Sequence, residues 1–186
     1  LSSISDGIKK RTNPNDVFIT PPLLAKKQIE MIDTIDGDVW YDPFKATGNY
    51  FNQFPDTGAE HEWSEIAEGR DFFEQESNCH VICSNPPYSM LDAVFKQCIK
   101  LNPRVVSLLI GVGNLTARRM EWMADAGYSL SKIHMAKIFQ WFGMSFIVHF
   151  EKNAAPALTF DRVVWRDANP DTVYAYEQKK AKKTSS

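Results

Sequence analysis

A chain of 186 residues, 44% apolar and 24% charged, is long enough to bury one full core and short for two. Its formal net charge of −2 excludes a strongly basic nucleic-acid coat but leaves room for a locally basic cleft. Cys79, Cys83 and Cys98 form neither a metal-ligand spacing nor an even disulfide set, which suits a reducing, cytoplasmic setting and predicts no metal site. No apolar run is long enough to span a bilayer, and no signal-peptide pattern opens the chain, so no membrane association is expected.

Residues 1–17 are polar and punctuated by Gly7 and Pro14, which predicts a flexible arm whose Lys9-Lys10-Arg11 cluster is solvated. Phe18-Ile19-Thr20-Pro21-Pro22 then opens a helix. Thr20 suits the N-cap, and Pro21 suits the first helical position, where a missing N–H costs nothing. Leu23, Leu24, Met31 and Ile32 recur at helical spacing to about Ile35, and Gly37 ends the element.

Asp38 to Tyr41 reads as a first strand, followed by Asp42-Pro43-Phe44-Lys45-Ala46-Thr47-Gly48. A carboxylate at a strand end, then small residues and a glycine entering a helix, is the pattern of a loop that lets a ligand approach the backbone. Glu62 to Ile66 reads as the second strand. An acid about twenty residues past such a loop can accept from ribose hydroxyls, and Glu65 lies nearer the expected carboxyl end than Glu62. Asp71, Phe72 and Phe73 follow shortly after.

Val81-Ile82-Cys83 is an apolar run that stops at Asn85-Pro86-Pro87-Tyr88. Proline has no N–H for a ladder, so pairing must end there, and each ring restricts the residue before it. Asn85 is thereby held at a strand's carboxyl end, where open α/β sheets place ligands. Its side-chain carbonyl and the Pro86 carbonyl are two acceptors, and Tyr88 adds a flat aromatic face. Two acceptors beside a stacking surface suit a planar substrate that carries an amino group.

Downstream, Ser89 and Asp92 form a capping box for a helix to Leu101, with Leu91, Val94, Phe95 and Cys98 on its core face. Arg104 to Ile110 is a continuous apolar run, as in a strand buried on both faces. Asn114 caps another helix that Gly127 closes, with Arg118 and Arg119 read as solvated in preference to phosphate-binding. Tyr128–Phe139 and Met144–Lys152 predict a β-hairpin turning at Gly143, and Leu158–Trp165 predicts one more strand. Alternating strands and helices indicate an α/β layered sheet, mostly parallel. One domain is expected over residues 18–170, followed by a polar, lysine-rich tail over 171–186.

Asn85-Pro86-Pro87-Tyr88 resembles the catalytic motif of S-adenosylmethionine-dependent amino methyltransferases, above all the N6-adenine DNA methyltransferases. Phe18-Ile19-Thr20-Pro21 is similar to that family's Phe-x-Thr-Pro segment. Asp42-Pro43-Phe44 with Gly48 is similar to its Asp-Pro-Phe-x-Gly-x-Gly loop, Ala46 standing at the middle glycine. Asp71-Phe72 is similar to its Asp-Phe segment. The four motifs cover roughly residues 18–152.

The resemblance implies a Rossmann-like class I methyltransferase fold with an antiparallel edge strand. It implies S-adenosylmethionine held by Phe18, Thr20, Pro21, Asp42, Pro43, Phe44, Gly48, Glu65, Asp71 and Phe72. It also implies DNA as partner, with the target amino group held by Asn85 and Pro86, and Pro87 and Tyr88 completing the motif. Trp141 and Phe142 are candidates for an aromatic opposite Tyr88. The same motif serves enzymes that methylate RNA bases or a protein glutamine. Little chain follows the last strands for a target-recognition domain, so specificity is expected to be low, confined to a few bases or supplied by a partner subunit. A non-catalytic methyltransferase-like subunit, favoured by Ala46 and the small size, is the other alternative.

Overall fold

The computed structural model describes residues 18–138 and 144–162. The 1–17 arm, the Gly143 turn, Trp141, Phe142 and the 171–186 tail lie outside them. Among the described residues, no helix is long and apolar enough to cross a membrane.

Six strands of the described residues form one sheet: β1 (Trp40–Asp42), β2 (Glu62–Trp63), β3 (Val81–Ser84), β4 (Val105–Gly111), β5 (Tyr128–Lys137) and β6 (Met144–Lys152). They lie side by side in the order β2-β1-β3-β4-β6-β5. β2, β1, β3 and β4 run parallel, and β6 is antiparallel to both β4 and β5. The expected hairpin is therefore present, with β6 inserted between β4 and the edge strand β5. The chain steps from β1 outward to β2, then returns across β1 to β3. The order reverses between β1 and β3, and a crevice opens outside their carboxyl ends.

Among the described residues three α-helices cover the sheet: α1 (Pro22–Glu30), α2 (Leu91–Leu101) and α3 (Ala117–Asp125). α1 starts one residue later than expected: Pro21, at ψ 136°, is the cap, Pro22 is the first helical residue, and Thr20 is buried. Its inward face is Ala25, Gln28 and Ile29, while Leu23 points to solvent at 82% exposure. The helix stops at Glu30, short of Ile35, because the following residues fold back: the Asp38 carboxylate accepts from the Ile35 N–H at 3.1 Å.

Gly48 does not enter a helix. Only a 3₁₀ turn forms at Phe51–Gln53, because Pro55 cannot continue the ladder and restricts Phe54. Rings of Trp40, Phe51, Phe54, His61 and Trp63 pack against one another there instead.

The Ser89–Asp92 capping box does not form. Tyr88–Met90 makes a 3₁₀ turn, Met90 occupies the cap of α2, and Asp92 accepts from Arg119 Nε at 2.9 Å. Thr116, rather than Asn114, caps α3 by accepting from the Arg119 N–H. Arg119 is not solvated; it bonds Asp92 and the Asn114 carbonyl, the latter at 2.6 Å. Residues 158–162 are not a strand, and the rest of that segment lies outside the described residues.

Two apolar layers flank the sheet. Tyr41, Ile82, Val106, Leu108, Val148 and Phe150 face α2 and α3, whereas Trp40, Val81, Cys83 and Val105 face α1. The α1 side also encloses polar groups. Gln28 donates to Ser107 Oγ at 2.9 Å and accepts from the Tyr50 hydroxyl at 2.7 Å. His149, paired with Ser107 across β4 and β6, is fully buried, and neither ring nitrogen is hydrogen-bonded among the described residues.

Burial, helped by the Lys132 charge, lowers the His149 pKa from 6.5 to about 4. Between those values only the unfolded chain binds that proton, so its contribution to stability falls as pH drops from 6.5 toward 4. His149→Leu removes this loss. Relative to the parent, the variant is expected to gain about 1–2 kcal/mol on going from pH 7 to pH 5, measured by urea unfolding. A pH-independent difference would show that His149 is not held neutral.

Candidate active site

The crevice at the β1–β3 reversal is a cleft of about 270 Å³. One wall carries Phe44, Ala46, Glu65, Ile66, Asp71, Phe72 and Phe73, and the other carries Asn85 to Met90 with Phe18. A smaller recess of about 20 Å³, lined by Thr20, Thr47, Asn49 and Tyr50, shares Phe18, Phe44 and Ala46 with it.

Of the residues singled out from sequence, Phe18, Pro43, Phe44, Glu65, Asp71, Phe72, Asn85, Pro86, Pro87 and Tyr88 line the cleft. Thr20 lines the recess, where its carbonyl accepts from Asn49 Nδ2 at 2.8 Å. Pro21 and Gly48 line neither. Gly48 supports the loop from behind: its φ is +84°, and a Cβ there would sit 2.7 Å from Asn52 Nδ2, so only glycine fits. Asp42 also stands behind the cleft, with no exposed surface.

Asp42 joins the two strand ends. Its Oδ1 accepts from Ser84 Oγ at 2.6 Å and from the Phe44 N–H at 3.3 Å, while Oδ2 is buried without a well-formed hydrogen bond. Burial pushes its pKa up to about 7, against the downward pull of Ser84 and of the Phe44 and Phe51 amides. One carboxyl group thus anchors both the loop after β1 and the residue preceding Asn85.

The acidic wall is built from short turns. Glu65 Oε2 accepts from the Ala46 N–H at 2.8 Å and Oε1 from the Ala67 N–H at 3.1 Å. Asp71 Oδ1 accepts from the Phe73 N–H at 2.9 Å. Gln97 of α2 holds this stretch by donating to the Phe72 and Gln75 carbonyls, each at 3.1 Å. A carboxylate oxygen has two acceptor sites, so Glu65 and Asp71 keep capacity for hydroxyl or amino donors.

On the opposite wall, Asn85 Nδ2 donates to the Phe18 carbonyl at 3.0 Å. That bond fixes the amide's orientation, since a carbonyl can face only the NH₂ end. Oδ1 is therefore aimed the other way, and it is buried without a hydrogen-bond partner among the described residues. Such an acceptor costs stability unless a donor arrives. The Tyr88 ring lines the same cleft and is 36% exposed.

Several residues of the site escaped the sequence reading. Ser84 looks like one more strand residue, and only the neighbouring strand shows it donating to Asp42. Gly111, at the end of β4, seats the Tyr88 ring: a Cβ there would lie 3.3 Å from Tyr88 Cε2 and 3.2 Å from Asn114 Nδ2. A glycine closing an apolar strand was the available signal.

Ala46 has φ +45°, the left-handed region, where the resembled loop carries glycine. An alanine there is strained by about 1–2 kcal/mol, while glycine loosens the unfolded chain by about 0.5–1 kcal/mol. Ala46→Gly is therefore expected to be neutral or stabilising by up to about 1 kcal/mol in urea unfolding. A clear destabilisation would show that the loop adopts another backbone conformation.

No family model matches the chain, and comparison with curated proteins finds no match. Solved structures do resemble it. The magnesium protoporphyrin IX methyltransferase ChlM from Synechocystis, solved with bound SAM, has a TM-score of 0.57 at 12% identity over 70% of this chain and 77% of its own. A precorrin-6y C5,15-methyltransferase from Geobacter metallireducens has a TM-score of 0.54 at 13% identity, covering 72% and 89%. The M protein of the type I restriction enzyme EcoKI has a TM-score of 0.52 at 12% identity, covering 74% of this chain and 44% of its own. At these identities the likeness is one of architecture: the chain has the Rossmann-like fold of class I methyltransferases.

Proposed function

We propose that this protein transfers a methyl group from S-adenosylmethionine to an exocyclic amino nitrogen, that of N6 of adenine in DNA. The observation that carries this reading is the buried Oδ1 of Asn85, an acceptor without a donor among the described residues, in a cleft that the Tyr88 ring also lines. A purine amino group supplies the missing donor, and its ring supplies a face for tyrosine.

The cleft also fits the cofactor. Phe44 and Phe72 are apolar surfaces for a purine, and Glu65 and Asp71 are acceptors for sugar hydroxyls and an amino group. Phe18 and the Thr20 recess continue toward the other end of the ligand. S-adenosylmethionine supplies an activated sulfonium methyl. The protein's own task is then alignment and charge placement. Asn85, with the Pro86 carbonyl, holds the amino nitrogen, and Tyr88 stacks on the base. A base within a duplex must be flipped out to reach them.

Asn85→Ala is expected to lower methyl transfer by on the order of 10²–10³-fold, with cofactor affinity in isothermal titration nearly unchanged. Unchanged turnover overturns the assignment of Asn85. Asp71→Ala is expected to weaken S-adenosylmethionine binding by about 1–2 kcal/mol, roughly tenfold, also read by titration. A panel of DNA, RNA and protein substrates under the same conditions decides the acceptor. Absence of binding to both S-adenosylmethionine and S-adenosylhomocysteine would overturn the catalytic reading in favour of a non-catalytic subunit.

A further inference from the structure

Charge is divided unequally across the cleft. Residues 51–80, which build the Glu65–Asp71 wall, contain eight carboxylates and one arginine, Arg70. Residues 91–137, which build α2, β4, α3 and β5, contain seven lysines and arginines and three carboxylates; of the seven, Arg104 is paired with Asp38 and Lys132 turns to the Met31 carbonyl on the α1 side. The near-neutral total conceals this division.

On the basic side, two cations converge on one indole. Lys96 Nζ lies 5.0 Å and Arg118 Cζ 5.6 Å from the Trp122 ring centroid. Both are exposed, and neither forms an ion pair among the described residues. Asp92, a carboxylate on the facing helix, is engaged by Arg119 at 2.8 Å. Its pKa is lowered first by that hydrogen bond, with the Arg118 and Lys96 charges acting in the same direction. Lys96, Arg118 and Arg119 thus all act on Asp92, and with Asp125 paired to Arg162 they outnumber the remaining α3 carboxylate, Glu121.

The patch is also well placed. α2 follows directly on Tyr88, and α3 follows the Gly111–Asn114 segment beneath the Tyr88 ring. The Arg119 bonds to Asp92 and to the Asn114 carbonyl lock the first turns of both helices together. Lys96 and Arg118 thus stand on two joined helices that lead away from the Asn85–Tyr88 end of the cleft. A duplex presents about one negative charge per 1.7 Å of axis, so the acidic wall repels it and the α2–α3 flank attracts it.

We propose that the nucleic acid bearing the target base lies along the α2–α3 flank, with Lys96 and Arg118 contacting backbone phosphates around Trp122. This rests on the nucleic-acid reading of the site given above. The contact positions the strand and carries no sequence information, so sequence preference must come from elsewhere.

The test is fluorescence anisotropy of the full chain with a labelled mixed-sequence DNA duplex across a range of salt. Lys96→Ala and Arg118→Ala are each expected to reduce the slope of log affinity against log salt by about one, and the double variant by about two. Lys26→Ala on α1 and Glu74→Gln on the acidic wall should leave the slope unchanged, and S-adenosylmethionine titration should be unaffected throughout. A parental slope in the double variant overturns the placement and leaves the proposed reaction standing. Absence of salt-dependent binding by the parent to both DNA and RNA overturns the placement together with the nucleic-acid reading.

Discussion

The hydrogen bond from Ser84 to Asp42 is the contact on which the site depends. Asp42 ends β1, Ser84 ends β3, and the chain reverses its direction of winding between these two strands. A buried carboxyl group there fastens the loop after β1 to the residue before Asn85. Burial pushes its pKa up to about 7, so the group is only partly ionised at physiological pH, since an isolated carboxylate in that position would be costly. The loop with Ala46 and the turn with Asn85 consequently face each other across a fixed gap.

Around that anchor the protein keeps several groups in locally unfavourable states. Asn85 Oδ1 is buried without a donor, and Ala46 holds a left-handed backbone. Both lie in the cleft, where strain and unsatisfied acceptors are expected of binding residues. His149 differs. It is equally unsatisfied but sits inside the sheet on the α1 side, away from the cleft. Its consequence is a pH dependence of stability, opposite in sign to that of Asp42 over much of the acid range.

The division of charge follows the division of labour between the walls. The β2 side is built from short turns rich in Glu and Asp, which suit hydroxyl and amino donors of a small ligand. The α2–α3 side is built from helices whose exposed cations suit phosphates. Arg119 is adjacent to Arg118 in sequence and has a different role, because the helix turns it inward onto Asp92. A pair of neighbouring arginines thus separates into one that holds the platform and one proposed to use it.

Much of the fold was legible in the residues. The apolar runs at Val81–Cys83 and Val105–Ile110, the proline stop after Asn85 and the two long β-patterned runs predicted a parallel sheet with an antiparallel hairpin, because period and chain stiffness act locally. Helix caps were read less well. Thr20, Ser89 and Asn114 all have the right chemistry, yet Pro21, Met90 and Thr116 occupy the caps, since neighbouring elements decide where the first turn forms. The sequence by itself determined which side chains end each strand, and therefore that Asn85, Tyr88, Glu65 and Asp71 would gather at one edge of the sheet. Only the tertiary structure decided that Asp42 would be sealed behind the cleft, that Gly111 would seat Tyr88 and that Arg118 and Lys96 would share one indole. Those relations join residues far apart in the chain, and packing between elements, not local backbone preference, brings them together.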